Sequence, residues 1–78
     1  MSKLTHLLAR VFGVDVQSIS DASSPETIES WDSFNGLVLV DELEKAFNIS
    51  FTMDEILDVK KVADIKRHLK NHGVDPDE

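Results

Sequence analysis

Trp31-Asp32-Ser33-Phe34-Asn35-Gly36-Leu37-Val38-Leu39-Val40-Asp41-Glu42-Leu43-Glu44-Lys45-Ala46-Phe47 reads as a capped amphipathic helix, and the rest of the fold builds outward from it. The helix runs from about Ser33 to Phe47, with Leu39, Val40, Leu43 and Phe47 as its core-facing set. The residues just after the serine break that pattern. With the core set pointing inward, Phe34, Leu37 and Val38 lie largely on the other side, within a turn of Ser33. They form either an exposed docking surface or a patch covered by the preceding loop through Ile28 and Trp31, and the first reading is favoured. Gly36, in the same turn, costs the helix about 1 kcal/mol relative to alanine. Its missing side chain would let a flexible group or a partner backbone come close. The amides of a first helical turn have no intrahelical partner and sit at the positive end of the helix dipole. A phosphate on Ser33 would therefore be stabilised.

Upstream, Leu4, Leu7, Leu8 and Val11 fall on one face of a helix ending near Gly13. The connection from Val14 to Asp32 is rich in Ser and Asp and holds Pro25, while Val14, Val16 and Ile19 are apolar enough to pin it against the helices. Downstream, Asn48-Ile49-Ser50-Phe51 reads as a short extended segment, and Thr52 caps a brief helix near Met53 to Leu57. A last helix uses Val62, Ile65 and Leu69 and stops at Gly73, with Pro76 beyond. The expected fold class is all-α: a small, mostly antiparallel four-helix bundle of three long helices and one short one, with a long loop between helices one and two. A single domain covers residues 1–78, and residues 74–78 are expected to fray.

Charge is unevenly spread. The chain carries a net −7, yet residues 15–58 hold eleven acids against one base, Lys45, for a local net of −10. Residues 59–74 hold five bases (Lys60, Lys61, Lys66, Arg67, Lys70) against Asp64, for +4. Partners that reach Ser33 are expected to present basic surfaces, and nucleic acid is excluded because its phosphates would be repelled. There is no cysteine to form a disulfide or a thiolate metal site. No apolar run approaches a membrane span, and the N-terminus lacks a signal-peptide core, so a cytoplasmic monomer is expected.

Several chemical motifs fail on inspection. Asp21 to Asp32 has the length of an EF-hand loop, but Glu26 stands where glycine is needed and Pro25 at a ligand position. His68 and His72 are four apart on the last helix. Two ligands make no metal site, and they read as a solvated pair favourable to the helix dipole. His6 has no serine or cysteine near it. No Gly-rich phosphate loop and no inward-facing acid pair is visible. Trp31 reads as a core anchor. Ser33 as a hydrolytic nucleophile lacks an adjacent base, so the chain is not expected to be an enzyme.

Taken together, Asp32-Ser33-Phe34, Leu43-Glu44-Lys45-Ala46-Phe47, Asn48-Ile49-Ser50-Phe51 and Val62-Ala63-Asp64-Ile65 resemble the acyl carrier protein family. The resemblance covers nearly the whole chain. It implies that a phosphopantetheinyl transferase attaches 4′-phosphopantetheine from coenzyme A to Ser33, with Asp32 capping the helix and helping to place the transferase's metal. A chain without a thiol of its own would obtain one from that arm and carry an acyl or aminoacyl group as a thioester. The resemblance further implies delivery to acyl-loading and acyl-transfer enzymes with basic docking surfaces, in fatty acid, lipid or secondary-metabolite biosynthesis. Docking would use Phe34, Leu37, Val38, Asp41, Glu42 and Glu44, and the cargo would sit between helices two and three, lined by Leu39, Val40, Phe51, Ile56 and Val59. The alternative is a small acidic helical interaction domain in which Ser33 is only a helix cap.

The departures from the family's housekeeping pattern carry information. Asn35 stands where an aspartate is usual, Val38 for a glutamate and Asp41 for a methionine. The surroundings of Ser33 become more apolar, which would weaken binding by enzymes that read the usual acids. With Trp31 ahead of the motif, this reads as a specialised, free-standing carrier with its own partner set. Phe51 would narrow the inner pocket and suit short or exposed cargo.

Overall fold

The computed structural model describes residues 3–76 and is all-helical among them. Its elements are α1 (Lys3–Phe12), α2 (Ser33–Phe47), α3 (Met53–Asp58) and α4 (Val62–Asn71), with a 3₁₀ turn at Val16–Ser18 in the long loop. The expected bundle of three long helices and one short one is the observed fold.

The helices stop where the backbone can turn left-handed. Gly13 and Gly73 have φ of 66° and 81°, which folds the next amide back: Val14 N donates to Ala9 O at 3.1 Å and Val74 N to Leu69 O at 2.9 Å. Asn48 does the same for α2, with φ of 54° and the Ile49 amide donating to Glu44 O at 3.1 Å. Its short polar side chain makes it one of the few residues besides glycine to visit this region.

One core unites Leu4, Leu7, Leu8 and Phe12 of α1, Leu39 and Leu43 of α2, and Val62, Ile65 and Leu69 of α4, closed by Ile28 and Trp31 from the loop. Three details differ from the sequence expectation. Phe12 rather than Val11 completes the buried face of α1, because it sits four residues beyond Leu8 on the same stripe. Val40 and Phe47 are half-buried, and Phe47 lies under the Lys3 ammonium, 5.0 Å from the ring centroid. The tail also departs from the fraying expected of it. Val74 is tied to α4 and Pro76 is fully buried, while residues 77 and 78 lie outside the described residues.

The long loop caps α4. Lys61 precedes that helix and offers no side-chain acceptor, so the loop supplies carbonyls instead. Val62 N donates to Ser23 O and Ala63 N to Asp21 O, each at 2.9 Å, and Lys66 Nζ pairs with Asp21 Oδ1 at 2.6 Å. At its other end the loop is fixed to α1. Ser30 Oγ donates to Phe12 O at 2.7 Å, and the Trp31 ring stacks on Phe12 with centroids 5.0 Å apart.

Asp64, buried in the first turn of α4, accepts from Lys60 N at 3.0 Å and pairs with Arg67 at 3.0 Å. The backbone hydrogen bond, with Arg67 nearby, holds its carboxyl below the usual carboxylate range against the opposing effect of burial. A folded-state value below the unfolded one gives stability that is present above about pH 4 and lost as pH falls through the folded value. We therefore expect the urea midpoint to drop between pH 5 and pH 3. Asp64→Asn should lower stability at pH 6 and flatten the acid drop, and an unchanged drop in the variant would remove Asp64 from its causes.

Candidate functional site

Asp32 and Ser33 occupy the point where the buried loop becomes a helix. Trp31 is 7% exposed and packs inward, so the next residue is the first free to cap. Asp32 is extended, at φ −106° and ψ −175°, and its Oδ1 accepts from Asn35 N at 2.8 Å. Its own carbonyl accepts from Gly36 N at 2.8 Å. Of the four amides that a helix start leaves over, Asp32 thus satisfies two. Those of Ser33 and Phe34, nearest the hydroxyl, have no acceptor within the helix. Ser33 is the first residue of α2 and is exposed; it is not the cap. The reading of Ser33 as only a helix cap is therefore overturned, because Asp32 already fills that position.

Beside Ser33 opens a cleft of about 470 Å³ that runs between α2 and α3 towards the core. Asp32, Ser33, Gly36 and Leu37 form one end, and Leu43 and Ile65 are among the side chains lining it from α2 and α4. Leu39, Val40, Phe51, Ile56 and Val59 all line it, so the five residues expected around a cargo lie in one place. The sequence reading missed Trp31, Glu55 and Leu57 on its walls. Glu55 was legible only as part of the Thr52 cap: Thr52 Oγ1 accepts from Glu55 N at 3.2 Å, and Glu55 Oε1 accepts from Thr52 N at 2.9 Å. That second bond, with His72, holds the Glu55 carboxyl below its usual range despite partial burial.

The residues expected to dock a partner divide by surroundings. Phe34 and Leu37 are 73% and 65% exposed, and Val38 is half-buried. Ile28 and Trp31 turn into the core instead of covering them. Met53 and Leu57 on α3 are equally exposed and extend the apolar surface past the cleft mouth, which the sequence reading did not include. Asp41 pairs with Lys45 at 2.9 Å and Glu42 with Arg10 at 2.7 Å. Glu44 has a role within the fold: its Oε2 accepts from Phe51 N at 2.8 Å and fixes the segment leading to α3.

Two further residues behave differently from expectation. His68 and His72 are not a solvated pair. His68 is buried with Nε2 3.0 Å from Asp58 Oδ2, and His72 Nε2 lies 2.9 Å from Glu55 Oε2, because α3 lays its carboxylates over them. Among the described residues, no group of three or more His, Cys, Asp or Glu could hold a metal ion. Asn35 also has a task no aspartate could take over: its Nδ2 donates to Ser30 O at 2.8 Å, tying the loop's last turn to α2. Gly36 is not required by the packing, since a β-carbon there would meet Trp31 Nε1 at an ordinary 3.9 Å.

The geometry separates cap from hydroxyl. Asp32→Ala should cost about 0.5–2 kcal/mol in chemical denaturation, whereas Ser33→Ala should stay within about 0.5 kcal/mol. Equal costs would contradict this division. Asn35→Asp should lose about 1–3 kcal/mol by leaving the Ser30 carbonyl facing an acceptor, and a neutral result would mean that the loop turn does not depend on Asn35.

Compared with known families, residues 2–69 match the model described as phosphopantetheine attachment site. No curated protein matches the chain.

Proposed function

The chain belongs to the phosphopantetheine attachment site family, with covalently bound 4′-phosphopantetheine as its cofactor, and from that premise we propose that Ser33 is the attachment point of a free-standing, monomeric acyl carrier. The observation that carries this is the placement of an exposed serine hydroxyl at the mouth of a cleft whose walls are mostly apolar.

The residues present fit the group. A phosphodiester on Ser33 would lie at the amino end of α2, beside the Ser33 and Phe34 amides and the positive end of the helix dipole. When bound, the arm supplies the thiol that this cysteine-free chain lacks, and with it the thioester to an acyl or aminoacyl group. Asp32 keeps the helix start formed and stands ready to help place the transferase's metal. Gly36 leaves one side of the cleft entrance open. Leu39, Val40, Phe51, Ile56 and Val59 offer apolar cover to a cargo chain, which favours acyl over charged cargo.

Partners would meet Phe34, Leu37 and Val38 together with Asp41 and Glu42, and Met53 and Leu57 would widen that surface. Asp41 and Glu42 are each held by one cation, so basic partner groups would have to exchange for Lys45 and Arg10. Exposed ion pairs of this kind contribute little to the fold, which makes that exchange inexpensive. An apolar face rimmed with acids suits enzymes of unusual fatty acid, lipid or secondary-metabolite synthesis better than those that read a dense acidic helix. In this reading the protein works in the cytoplasm as a substrate of enzymes and catalyses nothing itself.

Intact mass after incubation with coenzyme A, Mg²⁺ and a promiscuous phosphopantetheinyl transferase tests the assignment. The parent should gain one phosphopantetheine and Ser33→Ala none. Modification of the alanine variant would move the attachment elsewhere. A folded parent that several transferases leave unmodified would overturn the carrier reading.

A further inference from the structure

Helix α3 is held in an unusual way for a wall of an apolar cleft. It has six residues and buries no side chain completely, and Met53 and Leu57 face outward. Ile56 and Val59 are half-buried on the cleft side. What fastens α3 to α4 on its other side is polar. His68 Nε2 lies 3.0 Å from Asp58 Oδ2, His72 Nε2 lies 2.9 Å and 3.1 Å from the two oxygens of Glu55, and Arg67 bridges Asp58 to Asp64. The buried His68 Nδ1 makes no hydrogen bond and faces Glu55 Oε2 at 3.5 Å. The segment joining α2 to α3 gives His72 the Phe51 ring, edge to face at 5.4 Å, and Phe51 itself lines the cleft.

We propose that His68 and His72 form a proton-dependent clasp that holds α3 across the cleft and so sets how readily a cargo enters and leaves it. This rests on the carrier reading above and assigns a control to the same site.

The sign follows from the donors. An imidazole changes charge between about pH 5 and pH 8. When protonated, both nitrogens of His68 donate, one towards Asp58 and the other towards the Glu55 oxygen that it now faces without a bond. His72 and Glu55 then form a charge-assisted pair. When neutral, each ring keeps one N–H. If Nε2 of His68 retains it, a lone pair on Nδ1 faces a carboxylate oxygen, an arrangement that repels. Arg67 stays charged throughout and keeps Asp58 at every pH, so only the histidine half of the clasp titrates. Few apolar contacts resist the opening of α3, because its apolar side chains are half-buried or exposed. The clasp therefore tightens as pH falls through the imidazole range and loosens as pH rises.

Solvent exchange of the Ile56, Leu57 and Val59 amides, followed by NMR on the unmodified chain from pH 5.5 to 8.0, reads the clasp directly. Rates are corrected for the intrinsic pH dependence of exchange, and the α1 amides serve as the internal reference. Protection of α3 relative to α1 should fall about tenfold across this range, the size expected for losing one charge-assisted hydrogen bond. In His72→Gln, at the surface and so tolerant of change, the fall should shrink severalfold. Protection of α3 that tracks α1, or the same fall in His72→Gln, overturns the clasp. On the chain loaded with an octanoyl thioester at Ser33, cleavage by hydroxylamine should quicken in step with the loss of protection. A constant rate would overturn control of the cargo even if α3 opens. Failure to load, seen by mass, counts against the carrier reading alone, because the exchange measurement on the unmodified chain still decides the clasp.

Discussion

The burial of Trp31 against Phe12 is the contact on which the arrangement depends. It nails the end of the long loop to the end of α1 and turns an aromatic into the core one residue before the cap. Asp32 is then the first side chain free to satisfy the amides of α2, and Ser33 follows in the first helical turn, exposed. The hydroxyl's position is thus fixed from the hydrophobic side by about 1.5–3 kcal/mol or more of aromatic burial, and from the polar side by a capping bond. Asn35, donating back to Ser30, closes the same turn from within the helix.

Around that point the molecule is unequal by design of its contacts. α1, α2 and α4 share one core with the loop, whereas α3 lies outside it and is held by a capping box, half-buried apolar residues and charged side chains. The cleft lies between the well-packed part and the weakly packed part. Elements that move to admit a ligand are drawn from the low-stability end of a structure, and here that end is one short helix. Function and marginal packing share an address.

The apolar surface near Ser33 and the acidic surround address different stages of meeting a partner. Long-range steering needs net charge, which residues 15–58 supply. Contact needs surface that gains from losing water, which Phe34, Leu37, Met53 and Leu57 supply. Asn35 and Val38, standing where acids are common in the family, remove charge from the contact zone without emptying the wider field. Specificity by withdrawal of charge is consistent with a carrier that serves few partners.

Much of this was legible from the residues. The all-α class, the caps at Asp32 and Thr52, the left-handed ends at Gly13 and Gly73 and the placing of Ser33 on an exposed first turn follow from rules that act over four or five residues. Those rules need no knowledge of neighbours. The exposed side of Phe34 and Leu37 was legible for the same reason, since helical period alone sets them opposite Leu39 and Leu43. What sequence could not decide were pairings between residues far apart in the chain. Nothing in the spacing of His68 and His72 says that Glu55 and Asp58 will lie over them, or that Glu44 is spent on the Phe51 amide. Nor does it say that Ser23 and Asp21 carbonyls will cap a helix forty residues away. Local backbone geometry is a property of the nearby chain, whereas the partner of a side chain depends on how the helices cross, and only the packed core sets that.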